Sequence, residues 1–276
     1  MSLDLHPARN DEAGRIWPMA KRARLFGSLA EFEAFRTEAP WRLQVSSSGE
    51  CAVLDRWREH LAIVAMRGAW CAADRIPALV DRLMHVVRDQ QMTSLLSPLV
   101  AEEVAPAYRA AGMRPLEDIV VLRRVSRQTP VAPAALPPGV RIRPPLPADL
   151  AALLEVDAAC FNDFWRYDID KLARHFVEDR LMVAEEYGAV IGYTLATVIG
   201  DSATLGRLAV APGARGRGVG AALLAEALGY LERTGAATVS LCTQRENVVS
   251  RALYARAGLR ELPGKLQFLI RDVSGE

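Results

Sequence analysis

The sequence is poor in cysteine, and its four cysteines form no disulfide or metal pattern. They are Cys51, Cys71, Cys160 and Cys242. No two of them are spaced as C-x-x-C, and no histidine lies near enough to complete a zinc site. Isolated thiols of this kind are typical of buried side chains in a reducing compartment. The sequence therefore predicts no metal site and no disulfide framework.

A surplus of charge of one sign is also missing. The chain has 34 Lys and Arg against 33 Asp and Glu, which gives a formal net charge of +1. This balance lacks the basic footprint that is typical of nucleic-acid binding, so we expect no nucleic-acid partner. It favours a near-neutral enzyme that acts on small molecules or on protein termini.

Long apolar runs are absent as well. The longest uncharged stretch after residue 180 is 187–200, which is too short and too rich in glycine to span a bilayer. The start of the chain, MSLDLHPARNDEAGR, has acidic residues and no apolar centre, so it does not resemble a signal peptide. We expect a cytoplasmic protein with no membrane association.

Proline is concentrated at one place in the chain. Residues 129–147 contain seven of the 16 prolines. Because proline lacks a backbone donor and fixes φ, such a stretch is extended and lies outside regular pairing. We therefore place a linker at 128–139, between an N-terminal domain at 1–127 and a C-terminal domain at 140–276.

The C-terminal domain alternates between strand and helix patterns. The predicted strands are 140–143, 181–184, 189–199, 203–210 and 237–243, followed by a hairpin formed by 259–262 and 266–271. The predicted helices are one that begins at 147–149 and runs through Leu154, one near 168–178, and two more at 218–233 and 248–257. This order indicates a mixed-sheet α/β (α+β) domain.

The N-terminal half repeats part of the C-terminal one. A shift of 146 positions aligns seven identical residues within 23 positions, among them Tyr108 with Tyr254 and Gly112 with Gly258. Three of the seven are the common residues Leu and Ala, so chance similarity is the alternative. A duplication explains more, because both segments have the same predicted order of strand, helix and hairpin.

The repeat is informative where it fails. The N-terminal half has no glycine-rich turn between its strand at 61–66 and its helix at 76–88. It also has Ala101 at the position that corresponds to Asn247. The first half therefore looks like a copy that has lost its ligand site.

The segment 205–224, LGRLAVAPGARGRGVGAALL, predicts a strand, a glycine-rich turn and a helix. Unpaired N–H groups and the helix dipole make the start of a helix favourable for an anion. Glycines at 216, 218 and 220 allow close approach of a ligand, and Arg215 and Arg217 add charge and directed donors. Together they predict a site for a phosphate-bearing ligand. The alternative is a tight turn with solvated arginines.

Two common phosphate motifs do not fit this turn. Gly213 and Gly218 have the spacing of a P-loop, but Val219 and Gly220 stand where Lys and Ser or Thr are required. A dinucleotide-binding turn needs G-x-G-x-x-G, and the interval before Gly220 is one residue short. Nucleotide hydrolysis and hydride transfer are therefore both disfavoured.

Two motifs in this order resemble the GNAT superfamily of N-acetyltransferases. The segment 215–220 matches the family's acyl-CoA pyrophosphate signature, R/Q-x-x-G-x-G/A, and 207–212 matches its lead-in strand. The segment 246–259 resembles the family's N…A…LY…GF region, with Leu259 in place of the common Phe. The resemblance covers about 140–272, and the N-terminal half resembles a degenerate repeat of the same fold, as in tandem GNAT proteins.

The resemblance implies two GNAT-like domains, each a mixed, mostly antiparallel central sheet flanked by helices, with acetyl-CoA as the cofactor of the second. It also implies that strands 203–210 and 237–243 splay apart to admit pantetheine. The residues expected to bind the cofactor are Leu208, Ala209, Val210, Arg215, Gly216, Arg217, Gly218, Val219, Gly220, Ala221 and Asn247. Tyr254 would lie near the thioester sulfur as the catalytic proton donor.

Several roles stay open at this point. Tyr254 is either the proton donor or a packing residue, since Tyr108 occupies the same position in the half without the turn. Glu185 and Glu186 are either bases that act through water or, more in keeping with their position, turn carboxylates. The aromatic segment 161–168 either lines an acceptor groove or covers the sheet. The residues that we expect at the acceptor are Phe161, Trp165, Tyr193 and Arg207.

The leading interpretation is an acyl-CoA-dependent N-acetyltransferase that acts by direct attack in a ternary complex. The acceptor would be a primary amine, either of a small molecule or of a peptide or protein N-terminus. A non-catalytic acyl-CoA-binding regulator is the main alternative, and an N-terminal half that serves for docking is a third. The chain is expected to be a monomer whose halves form a pseudo-dimer, or a homodimer.

Overall fold

The computed structural model describes residues 3–58, 61–125, 134–178, 180–199 and 201–273. These residues form two units. The first contains the chain up to Ile119 and the stretch from Gly264 onward, and the second contains Val120–Pro263. The predicted linker at 128–139 lies outside the described residues up to position 133.

Strands and helices alternate along both units. The strands are β1 His6–Pro7, β2 Leu43–Val45, β3 Cys51–Arg56, β4 Ile63–Trp70, β5 Ser94–Leu96, β6 Val100–Ala101, β7 Arg114–Val125, β8 Val140–Arg143, β9 Arg180–Glu186, β10 Ala189–Ile199, β11 Ser202–Val210, β12 Thr238–Gln244, β13 Arg260–Glu261 and β14 Leu266–Asp272. The helices are α1 Asn10–Arg22, α2 Leu29–Glu38, α3 Ile76–Asp89, α4 Ala105–Ala110, α5 Leu150–Cys160, α6 Ile169–Glu178, α7 Val219–Arg233 and α8 Val248–Arg256.

The first unit has a sheet with a helical layer on each face. Its strands β1 to β4 are antiparallel, β4 and β5 are parallel, and β14 is antiparallel to both β5 and the first part of β7. Strand β3 alternates its side chains between the two faces, and both faces are buried. Leu54 packs with α3 and α4, whereas Val53 packs with α1 and α2.

The second unit repeats this plan. Strands β8 to β11 are antiparallel, β11 and β12 are parallel, and β13 pairs with the last part of β7. Apolar residues of α7 pack on one face of the sheet, and those of α5 and α6 pack on the other. The predicted fold class, a mixed and mostly antiparallel sheet flanked by helices, is confirmed in both units.

A bulge in β11 changes which helical layer its side chains face. Leu195 of β10 pairs with Arg207, but the next residue, Ala196, pairs with Leu205, so Gly206 is an extra residue. Before the bulge, Leu205 packs in the cluster that contains α7. After it, Ala209 packs in the cluster that contains α5 and α6. Without the extra residue these two odd-numbered positions would share one face.

The repeated segments end their helices in the same way. The carbonyls of Tyr108 and Tyr254 each accept N–H groups from the residues three and five further on, at 3.1 and 3.2 Å in the first unit and 3.1 and 3.0 Å in the second. The glycines that follow, Gly112 and Gly258, have φ of +74° and +83°. The identities found in the sequence therefore join positions with the same local structure.

The predicted C-terminal hairpin is wrong. Strand β13 pairs with Leu122 and Arg123 of β7, and β14 pairs with β5, β6 and the first part of β7. As a result, the last strand of the chain belongs to the first unit, although the predicted boundary keeps it in the C-terminal domain. The pattern of apolar residues in a strand shows which face is buried but not which sheet edge the strand will join. The sequence therefore could not show that β14 pairs in the first unit.

Candidate functional site

The glycine-rich turn between β11 and α7 presents backbone donors to open space. Gly216 and Gly218 have φ of +73° and +89°, and α7 follows directly at Val219. No atom lies within 4 Å of the place where a Cβ of Gly216 would be, and at Gly218 the nearest is a carbonyl oxygen at 3.9 Å. The first helical hydrogen bond runs from Ala222 N to Gly218 O at 3.0 Å, so the N–H groups before it have no partner within the helix. This cradle fits a phosphate-sized anion.

Strands β11 and β12 separate next to this turn. They are paired only at three positions in the described residues, from Ser202 with Thr238 to Thr204 with Ser240. Both strands continue beyond that point, to Val210 and Gln244. A gap therefore opens between two strands whose facing backbone groups are not paired with each other, which is the splay that the family resemblance predicts.

The register of β10 and β11 decides which backbone groups face that gap. Ala211 N donates to Ile191 O at 2.9 Å, and antiparallel pairs alternate between bonded and non-bonded. Ala209 is therefore directed to β10, and its oxygen lies 2.7 Å from where a Cβ of Gly192 would be. Leu208 and Val210 present their backbone groups to the gap. The prediction that Ala209 pairs with pantetheine through its backbone does not agree with this register.

Arg215 binds the end of β11. Its Nε donates to the Val210 carbonyl at 3.0 Å, and its Nη2 lies 3.5 Å from the sulfur of Cys160. The Cys160 thiol donates to the same carbonyl at 3.2 Å. Arg215 thus fixes the start of the turn to the strand, in addition to the charge that it adds there.

Arg217, the second arginine of the turn, pairs with Glu186 at the end of β9. One guanidinium nitrogen donates to Glu186 at 3.0 Å and the other makes a still shorter contact. The Arg217 guanidinium lowers the pKa of the Glu186 carboxyl. A carboxylate held ionised by such a partner is a weak base at neutral pH.

Glu185 is paired as well. It accepts from Arg143 Nε at 2.5 Å and from Arg141 Nη2 at 2.7 Å. The hydrogen bond from Arg143 is the main cause of its lowered pKa. Of the two interpretations of Glu185 and Glu186, these contacts favour structural carboxylates over general bases.

A line of polar groups runs along α8. Asn247 is the N-cap of the helix, since its Oδ1 accepts from Ser250 N at 3.3 Å, and its Nδ2 donates to Thr243 Oγ1 at 3.2 Å. The predicted cofactor contact of Asn247 therefore comes from a side chain that already has a structural role. One turn further on, Ser250 has a small lowering effect on the pKa of the Tyr254 phenol.

Tyr254 is almost entirely covered. It is 7% exposed and packs in the apolar cluster with Leu228 and Leu241. Burial raises the pKa of its phenol to about 12, against the smaller opposing effect of Ser250. The phenol therefore keeps its proton at neutral pH, as a proton donor must, and it also packs the helix, as the alternative interpretation holds.

The turn, the end of β11 and α8 meet at Gly220. A Cβ at this position would lie 3.6 Å from side-chain atoms of both Val210 and Leu253, the residue before Tyr254. The structure thus brings together the predicted turn, the strand beside the gap and the helix that carries Tyr254. Phe161, Trp165, Tyr193 and Arg207 belong to the opposite helical layer, with α5 and α6.

Arg207 and Tyr193 are core residues and not an open pocket wall. Tyr193 is 0% exposed and donates a very short hydrogen bond to Asp157. Arg207, which is 7% exposed, donates to the same carboxylate from Nε at 2.9 Å and from Nη2 at 3.1 Å. Burial raises the pKa of the Tyr193 phenol well above its usual value. The prediction that these two side chains contact the acceptor is therefore corrected, because both are committed to Asp157.

The sequence analysis did not single out Asp157. This carboxylate is 0% exposed on α5 and holds Arg207 and Tyr193 together. The sequence did contain a signal for it. An acidic residue within the apolar helix segment LAALLEVDAAC needs a buried partner. The segment does not reveal which basic residue that partner is.

The aromatic segment 161–168 lies over Arg207. The rings of Phe161 and Tyr167 each have their centroid 3.8 Å from the guanidinium carbon. Trp165 and Phe164 form an edge-to-face pair with centroids 5.0 Å apart, and His175 of α6 lies 5.1 Å from the Tyr167 ring. Phe161 and Trp165 are partly exposed, so of the predicted acceptor residues they are the two that can contact a ligand.

No group of three or more His, Cys, Asp or Glu side chains in the described part of the chain could hold a metal ion. The four cysteines are free thiols. No helix within the described ranges is long and apolar enough to cross a membrane.

Comparison with solved structures defines the fold class. A tandem GNAT protein from the clavulanic acid biosynthesis pathway matches the chain with a TM-score of 0.74 and 18% identity, covering 100% of both chains. A GCN5-related N-acetyltransferase from Sphaerobacter thermophilus matches with a TM-score of 0.68 and 20% identity over 99% of this chain and 97% of the other. Both likenesses span nearly the whole chain and show the fold of GNAT proteins, in the first case that of a tandem one.

Sequence comparison gives the family. Residues 150–259 match the acetyltransferase (GNAT) family, and an uncharacterised N-acetyltransferase of Bacillus subtilis, YhfO, is 31% identical over 48% of this chain and 97% of its own length. The chain belongs to the GNAT acetyltransferase family. It is also 29% identical to a mycothiol acetyltransferase of Pseudarthrobacter chlorophenolicus over 67% of its length, and it spans 63% of that relative and about half of two further mycothiol acetyltransferases.

Proposed function

We propose that the chain transfers an acetyl group from acetyl-CoA to a primary amine, with the second unit as the catalytic one. The observation that carries this proposal is the gap where β11 and β12 cease to pair, beside a helix start with two left-handed glycines. A gap of this kind suits the pantetheine arm, and the helix start suits the diphosphate. Family membership and the relatives named mycothiol acetyltransferases support acetyl transfer. The acceptor is not carried over from them.

The cofactor would be held by residues on three elements. The N–H groups of Gly216 and Gly218, and those of Val219, Gly220 and Ala221 in the first turn of α7, would bind the diphosphate. Leu208 would pair with the pantetheine arm through its backbone, whereas Val210 offers only its N–H, because its carbonyl already accepts from Arg215 and Cys160. Arg217 would leave Glu186 or share it, since the pair is partly exposed.

The chemistry requires little from ionisable side chains. A neutral amine attacks the thioester carbonyl, a C–N bond forms and the C–S bond breaks. The N–H group of Val210 would donate to the carbonyl oxygen as negative charge develops on it. The phenol of Tyr254 would give its proton to the departing thiolate, the nitrogen would release its proton to water, and the phenolate would then regain a proton from water. The acceptor, the oligomeric state and the cytoplasmic location are predictions from the sequence.

The test has two parts that separate binding from catalysis. Calorimetry should give heat with CoA and none comparable with ATP or NADH at equal concentration. Acetyl-CoA, a thiol reagent and a panel of amines should then give thiol release above hydrolysis. A suitable panel is spermidine, phenethylamine, glucosamine and a hexapeptide with a free N-terminal alanine.

Each result has one meaning. Tight binding of CoA with no thiol release over a widened panel would favour the non-catalytic regulator. The absence of heat with CoA, combined with tight binding of another phosphorylated ligand, would refute the whole assignment of the turn.

A further inference from the structure

We propose that Arg207 is a positioning residue that holds segment 161–168 against the end of β11 and thereby sets the wall of the acceptor site. This inference rests on the proposed function, because it names what fixes one side of the same site. Arg207 touches neither the gap nor the glycine-rich turn in this structure. Its role is carried by the groups that it binds.

The ion pair of Arg207 and Asp157 holds the segment at two backbone groups. Arg207 Nη2 donates to the carbonyl oxygen of Trp165 at 2.5 Å. The N–H of Tyr167 donates to Asp157 Oδ1 at 2.7 Å. Each member of the pair thus binds one peptide group of the segment, in a place where unpaired polar groups would be costly.

The segment also stacks two rings on Arg207. The ring centroids of Phe161 and Tyr167 each lie 3.8 Å from the guanidinium carbon. Only a planar, delocalised cation can stack in this way while it donates to Asp157 from Nε and Nη2. A lysine would keep the charge and lose both the stacking and the second hydrogen bond. The site therefore specifies arginine and not only a positive charge.

The strand transmits this arrangement to the proposed reaction centre. Because of the Gly206 bulge, the side chain of Arg207 lies in the α5 layer. The backbone N–H groups of Leu208 and Val210, one and three residues further on, face the gap. The thiol of Cys160, at the end of α5, donates to the Val210 carbonyl. Arg207 is thus the one buried side chain that joins the backbone beside the gap to the partly exposed aromatic segment 161–168.

The alternative is that Arg207 contributes only to stability. A matched control exists in the same unit, because Arg124 is 2% exposed and pairs with Glu232 at 2.9 Å. Arg124 has no contact with segment 161–168 among the contacts described. Arg207→Lys and Arg124→Lys therefore both disturb the ion pair of a buried arginine, and only the first should affect the segment.

The first experiment is hydrogen exchange of the amides of 161–168, measured by mass spectrometry on the full chain. Arg207→Lys should raise the exchange rate of these amides by about 10-fold or more relative to wild type, because its anchor is lost. Arg124→Lys should leave it unchanged. Equal exchange in Arg207→Lys and wild type, or an equal rise in both variants, would overturn the proposal. If Arg207→Lys does not fold, Phe161→Leu removes one side of the stack and is judged by the same criterion.

The second experiment tests the functional consequence with the amine of the panel that gives the highest rate. Arg207→Lys should raise the KM for that amine by about 10-fold or more, while the calorimetric Kd for CoA changes by less than about 2-fold, because the misplaced wall belongs to the acceptor side. An unchanged amine KM would overturn the positioning of the acceptor. If wild type binds no CoA and releases no thiol, the proposed function fails instead, and exchange alone then decides whether Arg207 anchors the segment.

Discussion

The two units share one topology but differ where a strand passes into a helix. In the second unit, two left-handed glycines precede α7, and every residue of its first turn has an N–H group. In the first unit, α3 begins with Ile76 buried and Pro77 in its first turn, which removes a donor. The ring of Trp70 also folds back so closely that a Cβ at Gly68 would lie 2.5 Å from it. The same fold thus offers an anion cradle in one copy, and in the other a junction that has neither the two left-handed glycines nor a full set of helix N–H donors.

The comparison teaches that the site depends on a few backbone conformations and not on the fold as a whole. Tyr108 and Tyr254 stand at equivalent positions, and both are buried. Burial raises the pKa of each phenol to about 12. A feature that the copies share cannot by itself distinguish catalysis from packing, so the two tyrosines have to be changed in parallel.

Gly218→Val should have the largest effect. The new side chain would occupy the cradle and move the backbone out of its left-handed conformation, so several bonds to the diphosphate would be lost. Three charge-assisted hydrogen bonds of about 1.5 kcal/mol each correspond to a CoA affinity about 1000-fold weaker, measured by calorimetry. Gly235→Val is the control, because Gly235 has φ of +79° at the other end of α7 and nothing within 4 Å. If both variants keep wild-type affinity, the turn does not bind the cofactor.

Leu269→Ala should show that the C-terminal strand stabilises the first unit. Leu269 is 0% exposed in the cluster with Leu83 of α3 and Met66 of β4. Truncation of a buried leucine costs about 3 kcal/mol of the free energy of unfolding. Hydrogen exchange should rise in α3 and β4 more than in α7 and β11. A larger rise in α7 and β11 would contradict the assignment of β14 to the first unit.

Tyr254→Phe should lower kcat by about 100-fold with little change in the KM for acetyl-CoA, because loss of a general acid affects the transition state. Tyr108→Phe removes the equivalent hydroxyl from the unit without a cradle, and its kcat should match wild type. Steady-state kinetics with the best amine of the panel checks both. Equal kcat in the two variants would make Tyr254 a packing residue only.

The smallest expected effect is a loss of stability at alkaline pH, to which a tyrosine in each unit contributes. The folded pKa of about 12 for Tyr108 and Tyr254 lies above the value near 10 of an unfolded chain. Their contribution to stability is therefore complete below about pH 10 and is lost as the pH rises towards 12, because the unfolded chain releases these protons first. Urea unfolding at pH 9 and pH 10.5 should show this loss, and the double variant with both tyrosines replaced by Phe should show less of it.

Local features were predictable, and long-range partners were not. Strand β10 has the predicted bounds, and α7 begins one residue from the predicted start, because periodicity and glycines act over a few neighbouring residues. The cradle followed from the same local chemistry. The partner of Asp157 and the sheet edge that accepts β14 depend on residues 50 or more positions away. No pattern within one segment records such a choice.

The single extra residue at Gly206 has a consequence for how this protein can change. It resets the inside–outside alternation halfway along one strand, so that one stretch of backbone serves two layers with different tasks. Deleting that residue would not shorten an element noticeably. It would turn the Arg207 side chain towards the apolar cluster beneath α7. It would also direct the backbone groups that now border the gap towards β10. Substitutions can therefore tune either layer by itself, whereas a change of length by one at this point would alter both at once.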